Sequence, residues 1–298
     1  PAVTCSSLLP YLDHYKGSFG GRVYPLMDGQ RGESHNFVPQ LLTHLTQLFE
    51  TPINPDDLMA YLAAVAASNA FTLRFKSDQS TPGLRVPLTS KSSYFFEAVV
   101  VGKKIIWLHT FGERMVDASL GRPCEPPRLP FPVRPTISER GAIPSNPESM
   151  PNSISYDAVK RRLHIGDGFV DNVSPEVWEY EVSGKQVLVQ WFSYRKAHRE
   201  RPIIGDRRPP SPLSKIQPDH WLSEYTTELL NLLNVLGLLV ELEPTQAELL
   251  EKICGGPLIS DADLRSANVI GQPAAVQKSP QKSNSLSLFG DMDESSNE

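Results

Sequence analysis

Residues 153–173 of this 298-residue chain, SISYDAVKRRLHIGDGFVDNV, decide the fold class. Ile154 and Tyr156 alternate with polar neighbours, and Asp157 to Lys160 supply a turn. Leu163 and Ile165 answer on the return leg before Gly166-Asp167-Gly168 turns the chain again. A period of two bounded by turn residues is the pattern of strands, so a small antiparallel meander is expected here. Outward from it in both directions the periodicity is mostly helical, which predicts an α+β protein.

Upstream, residues 38–49 carry Leu41, Leu42, Leu45, Leu48 and Phe49 at helical spacing. Asn54 caps the next helix, Pro55 suits its first position, and Asp56 and Asp57 complement its dipole. That helix is expected to run to about Phe75. Residues 20–27 and 84–88 read as short strands. Residues 90–102 read as a helix, followed after Gly102 by a second apolar piece over 105–109. Nine prolines between Pro123 and Pro151 exclude regular helix or central strand there.

Downstream, Ser174-Pro175-Glu176 opens a short helix, and residues 187–194, rich in β-branched and aromatic side chains, read as a strand. Residues 221–242 form a leucine-rich, nearly all-round apolar helix, and 245–253 another that ends at Gly255-Gly256. The expected organisation is a mainly helical N-terminal α/β subdomain with a few strands over 1–122, and a Pro-rich connector over 123–151. A β-meander with C-terminal helices follows over 152–266, and a disordered tail over 267–298.

Composition narrows function mostly by exclusion. No run of 18 apolar residues and no signal-like N-terminus occurs, so a soluble, intracellular protein is expected. Cys5, Cys124 and Cys254 lie far apart and read as reduced, structural thiols. The chain has no GxxxxGK[ST], GxGxxG, HExxH or GxSxG pattern, and no Asn/Asp-Pro-Pro-aromatic motif of an amino-methyltransferase. His109 and Glu113 stand four apart, but two such residues do not make a metal site. His109, His164 and His198 are read as core histidines.

The net charge of −5 argues mildly against nucleic acid, yet the distribution is uneven. Arg195, Lys196, Arg199, Arg201, Arg207 and Arg208 face only Glu200 and Asp206, a local surplus of four positive charges. Following Tyr194 and running through a proline-punctuated loop, these side chains either reach phosphates and guanine edges or form an ordinary solvated charge run. Trp178, Tyr180, Trp191, Phe192 and Tyr194 either stack on bases or fill a core.

The stretch from Val173 through Pro175-Glu176-Val177-Trp178, Tyr180, Val182, Gly184, Val187-Leu188, Trp191 and Tyr194-Arg195 resembles P-E-V-W-x-Y-x-V-x-G-x-x-V-L-x-x-W-x-x-Y-R. That pattern belongs to the specificity domain of bacterial type ISP restriction-modification enzymes. Upstream pieces resemble further elements of the family in the same order: Asp57-Leu58 with Tyr61, Ala64 and Val65; Phe71 with Arg74-Phe75; Gly83, Arg85, Pro87-Leu88; and Leu108-His109. The resemblance covers roughly residues 11–257.

It implies a domain without catalytic motifs that recognises a target in double-stranded DNA. An adjoining adenine-N6 methyltransferase, helicase-like ATPase and nuclease would then act, with S-adenosylmethionine, ATP and Mg bound in those parts. Tyr194, Arg195, Lys196, Arg199, Arg201, Arg207 and Arg208 are the expected DNA contacts, with Arg22 and Arg85 as further candidates. The same resemblance implies a methyltransferase partner, no membrane, and a bacterial cytoplasmic location. The alternative is a docking module whose leucine-rich helices over 221–253 bind the methyltransferase or motor, with little DNA contact of its own.

Overall fold

The computed structural model describes residues 1–8, 23–28, 34–81, 83–197 and 218–271. The architecture is α+β, with small antiparallel sheets beside a larger helical part. The expected 20–27 strand is reduced to β1 (Met27–Asp28), paired with β2 (Ser34–His35), while Gly20 to Arg22 lie outside the described residues.

Helices α1 (Pro39–Phe49), α2 (Pro55–Ala66), α3 (Asn69–Arg74) and α4 (Ser92–His109) follow. Asn54 closes a capping box, its side chain accepting from Asp57 N at 2.8 Å while the Asp57 carboxylate accepts from Asn54 N. One helix to Phe75 was expected. The chain breaks at Ser68, which is extended and whose hydroxyl accepts from Phe71 N at 3.1 Å, starting α3 afresh. Residues 84–88 make no strand; only Thr89 bridges, to Leu258.

Instead of two apolar pieces, α4 is one helix through Gly102. An ideal Cβ at that glycine would stand 1.7 Å from the Ala60 carbonyl oxygen, so the missing side chain lets α2 and α4 touch backbone to backbone. Stacked Tyr61 and Phe95, 5.0 Å between centroids, fill this first core with Leu45, Phe71, Ile105 and Ile253. The Tyr61 hydroxyl donates to Pro87 O at 2.7 Å and accepts from Thr89 N, tying two of the family-like sequence elements together.

The meander forms as read: β3 (Ile154–Asp157), β4 (Arg162–Ile165) and β5 (Gly168–Val170) pair antiparallel, Ile154 opposite Ile165 and Leu163 opposite Val170. Helix α5 (Pro175–Trp178) starts at the Ser174 cap. A hairpin of β6 (Glu181–Val182) and β7 (Lys185–Gln186) then turns through Ser183 and Gly184, both at positive φ.

Residues 187–194 are not a strand but helix α6 (Val187–Ser193). Leu188 and Phe192, four apart, are both buried, a helical spacing that β-branched composition disguised. Tertiary burial of that face outweighs a propensity worth a few tenths of a kcal/mol per residue, on the order of the host-guest scale.

The two C-terminal helices read from sequence are one, α7 (Ser223–Gly255), with Pro244 inside it. The proline removes one backbone donor and ordinarily ends a helix. Here Leu229, Leu233, Leu236 and Leu239 before it are buried in a second core, while Leu249, Leu250 and Ile253 after it are buried in the first. Gln246 adds hydrogen bonds from its amide to Ala64 O and Ala67 O at the end of α2. By length and composition alone α7 meets the criterion for a membrane-crossing helix, but these apolar side chains face the two cores. Helix α8 (Asp261–Ser266) follows, and Val269 is still buried; residues 272–298 lie outside the described set.

The proline-rich segment straps the second core with only two short 3-10 helices of its own, Glu139–Gly141 and Pro147–Ser149. Trp107 Nε1 donates to Pro123 O at 2.9 Å, Leu129 N to the buried Asn234 Oδ1 at 2.8 Å, and Thr136 and Asp171 exchange backbone hydrogen bonds.

Candidate nucleic-acid interface

The basic segment begins where α6 ends. Arg195 N and Lys196 N both donate to Phe192 O, and Ala197 N donates to Pro151 O at 2.7 Å, fastening the chain to the end of the proline strap. Residues 198–217 lie outside the described set, and the chain resumes at Pro218. On its return Trp221 is buried against Trp191, Phe192 and Tyr225, with ring centroids 6.2, 6.4 and 5.4 Å away. Its indole N–H donates to Thr226 Oγ1 at 2.9 Å. The two stems of the basic segment are thus clamped together by one aromatic cluster.

That cluster settles the role of most of the aromatic residues read from sequence. Tyr180 and Phe192 are core, and Trp178 and Trp191 pack against it, with Trp178 stacked on Tyr156 at 5.7 Å. Tyr194 is 49% exposed and its hydroxyl accepts from Gln190 Nε2.

The predicted basic contacts divide. Arg195 lies over the Trp191 ring at 4.3 Å, donates to Trp191 O, and pairs with Glu228 at 2.7 Å, so its guanidinium is committed to holding α6 against α7. Lys196 and Arg85 are exposed, on different segments. Arg22, Arg199, Arg201, Arg207 and Arg208 lie outside the described residues.

His109 behaves as a core histidine. Its Nδ1 accepts from Cys5 N at 3.1 Å, and loss of water pulls its pKa down to about 4, so it is neutral at pH 7. Burial likewise pushes the Cys5 thiol up to about 12, far from nucleophilic. His164 sits beside Phe169, 5.9 Å between rings, and His198 is outside the described residues. Among the described residues, no three of His, Cys, Asp and Glu come together to hold a metal.

Sequence reading passed over a second basic surface, built from two turns. The β3–β4 turn is set by the Asp157 carboxylate, which accepts from Val159 N and Lys160 N at 3.0 Å and is held below its usual pKa by these bonds. It presents Val159, 95% exposed, beside Lys160 and Arg161. Arg162 turns inward, paired with Asp171 at 2.7 Å and lying over Phe169 at 3.8 Å.

The second turn spans residues 128–134, with Phe131 81% exposed at its crest. The Asn172 side chain donates to Pro132 O and Arg134 O, and the neighbouring Val173 N donates to Arg161 O. The two turns are therefore held by adjacent residues, one each. A shallow cavity of about 270 Å³ opens behind the second turn, where Arg128 and Arg134 meet Trp107 and Glu125. The available signal was Leu129-Pro130-Phe131-Pro132, an aromatic set between two prolines.

What these features define is an α+β module that displays basic turns beside an aromatic core. The family model of the Type ISP C-terminal specificity domain matches residues 1–232, and the chain belongs to that family. No curated protein matches it at a significant level.

Among solved structures, it is similar to DrdV in its complex with DNA, at 16% identity and a TM-score of 0.46 over 77% of this chain and 21% of that one. A nuclease-deletion mutant of the Type ISP restriction-modification enzyme LlaGI, with a DNA substrate mimic, aligns at 18% identity and 0.40, over 68% and 14%. The ATP-dependent Type ISP enzyme LlaBIII bound to DNA aligns at 15% and 0.41, over 72% and 12%. The chain spans about a fifth or less of the length of these proteins.

Proposed function

We propose that this chain reads the DNA target of a bacterial Type ISP restriction-modification protein and performs no chemistry itself. An adenine-N6 methyltransferase, a motor ATPase and a nuclease on other parts would act in the cytoplasm on the site it selects, using S-adenosylmethionine, ATP and Mg. The observation that carries this reading is the specificity-domain match over residues 1–232. In this reading Arg195 anchors the base of the basic segment. Lys196, Arg199, Arg201, Arg207 and Arg208, with Tyr194 and the candidates Arg22 and Arg85, contact double-stranded DNA. Phosphate contacts fix the register and a few side chains read base edges.

The alternative of a docking module draws less support, because the leucines on which its face would be built are consumed by the two cores. The test is fluorescence anisotropy with random-sequence duplex DNA at two salt concentrations. The chain is expected to bind with affinity that falls as salt rises, and Lys196→Ala with Arg199→Ala and Arg207→Ala to flatten the slope by roughly 0.9 per lost phosphate contact. An absence of binding at low salt would reject the reading.

A further inference from the structure

The strongest feature outside the basic segment is Phe131. A large aromatic ring 81% exposed is an unfavourable way to leave apolar surface, and single exposed side chains acquire meaning only from their setting. The setting here is rigid. Pro130 and Pro132 lock φ on both sides of it. Leu129 is buried, its N–H bonded to Asn234 Oδ1 and its side chain against Gly237, where a Cβ would stand 2.5 Å away. Arg134 Nε donates back to Leu129 O at 2.8 Å, and Asn172 holds the far shoulder. The backbone beneath the ring is therefore held on both shoulders.

The setting is also cationic. Arg128 and Arg134 flank the crest with no acid between them, and the neighbouring turn, held by Val173 next to Asn172, adds Lys160 and Arg161. The acids near these cations are Glu125 in the cavity behind the crest, Asp157, paired with Lys160 at 3.4 Å, Asp171, paired with Arg162 at 2.7 Å, and Glu176 near Arg161. An apolar ring framed by cations complements a polyanion that also offers flat apolar faces, which is the description of a nucleic acid.

We infer that the 128–134 turn is a second DNA-contacting element, in which Phe131 packs against a base or sugar face while Arg128 meets the adjoining phosphate. The inference rests on the DNA-reading function proposed above. A preformed crest loses little conformational entropy on contact, so the ring's burial passes largely into affinity.

The salt dependence separates its parts. Anisotropy titrations with short random-sequence duplexes at two salt concentrations are run on the full chain, Phe131→Ala, Phe131→Trp and Arg128→Ala, each checked by thermal melting. Phe131→Ala is expected to weaken binding on the order of tenfold at both salts with the slope unchanged. Phe131→Trp should bind as well as the native chain, and Arg128→Ala should flatten the slope by about one contact. If the native chain binds and Phe131→Ala matches it, this inference fails and the DNA-reading function stands. A Trp variant as weak as the Ala variant rejects the packing role as well. If the native chain binds no DNA at low salt, both are rejected together.

Discussion

The two cores are built on opposite plans. The first, between α1, α2, α4 and the end of α7, is a contact of backbones, with Gly102 against Ala60 and small alanines around it. Three of its cations are paired, Lys103 with Asp57, Lys252 with Glu97 and Arg74 with Glu251, while Arg85 stays exposed. The second is aromatic and is tied by polar anchors such as Asn234. It lays cations on rings, Arg162 over Phe169 and Arg195 over Trp191, and leaves Lys196, Arg128 and Arg161 outward. The first half rests on close backbone packing; the second sets exposed cations beside aromatic rings. The local distribution of charge says more about the proposed DNA-contacting face than the net charge of −5 does.

The sharpest way to break this comparison is Gly102→Ala. If the first core is a backbone contact, a Cβ placed 1.7 Å from Ala60 O should cost more than about 3 kcal/mol in urea unfolding, or prevent folding. Tolerance would mean that the two helices slide freely and that the first half is not rigid.

His109, at the end of α4 where the cores meet, gives a pH handle. It is neutral in the fold down to about pH 4, whereas the unfolded chain takes up its proton near 6.5. Stability held above 6.5 should therefore be lost as pH falls towards 4, by on the order of 3 kcal/mol. His109→Asn should melt with a shallower pH dependence than the native chain across that window.

Asn234→Ala sharpens the second half of the contrast. Removing the acceptor for Leu129 N leaves a buried donor unpaired, and about 2 kcal/mol should be lost in chemical denaturation. Smallest of all, a double-mutant cycle on Arg195 and Glu228 should return a coupling of about 0.5–1 kcal/mol, since the pair is partly exposed.

Local signals made the meander, α1, the Asn54 cap and α5 legible in the sequence, because each is specified by residues that touch within a few positions. What escaped was fixed from a distance. Residues 187–194 are helical because Leu188 and Phe192 face the second core, and α7 runs through Pro244 because both of its ends are buried. The candidate interface was legible as charge but not as geometry. Nothing in the sequence distinguishes Arg195, committed to Glu228 and Trp191, from its neighbour Lys196 on the surface. Pro130 and Pro132 mark Phe131 in the sequence, but what holds its two shoulders, Asn234 and Asn172, lies about 100 and 40 positions away along the chain.

Helix α7, 33 residues long, extends for roughly 50 Å at 1.5 Å per residue. The region matched by the family model stops at residue 232, a third of the way along it. A polypeptide cut at that point would keep every matched residue yet lose Gln246, Leu249, Leu250 and Ile253, the side chains that close the first core over α2. The matched stretch and the stretch that closes the first core are thus different lengths, and the second is the longer.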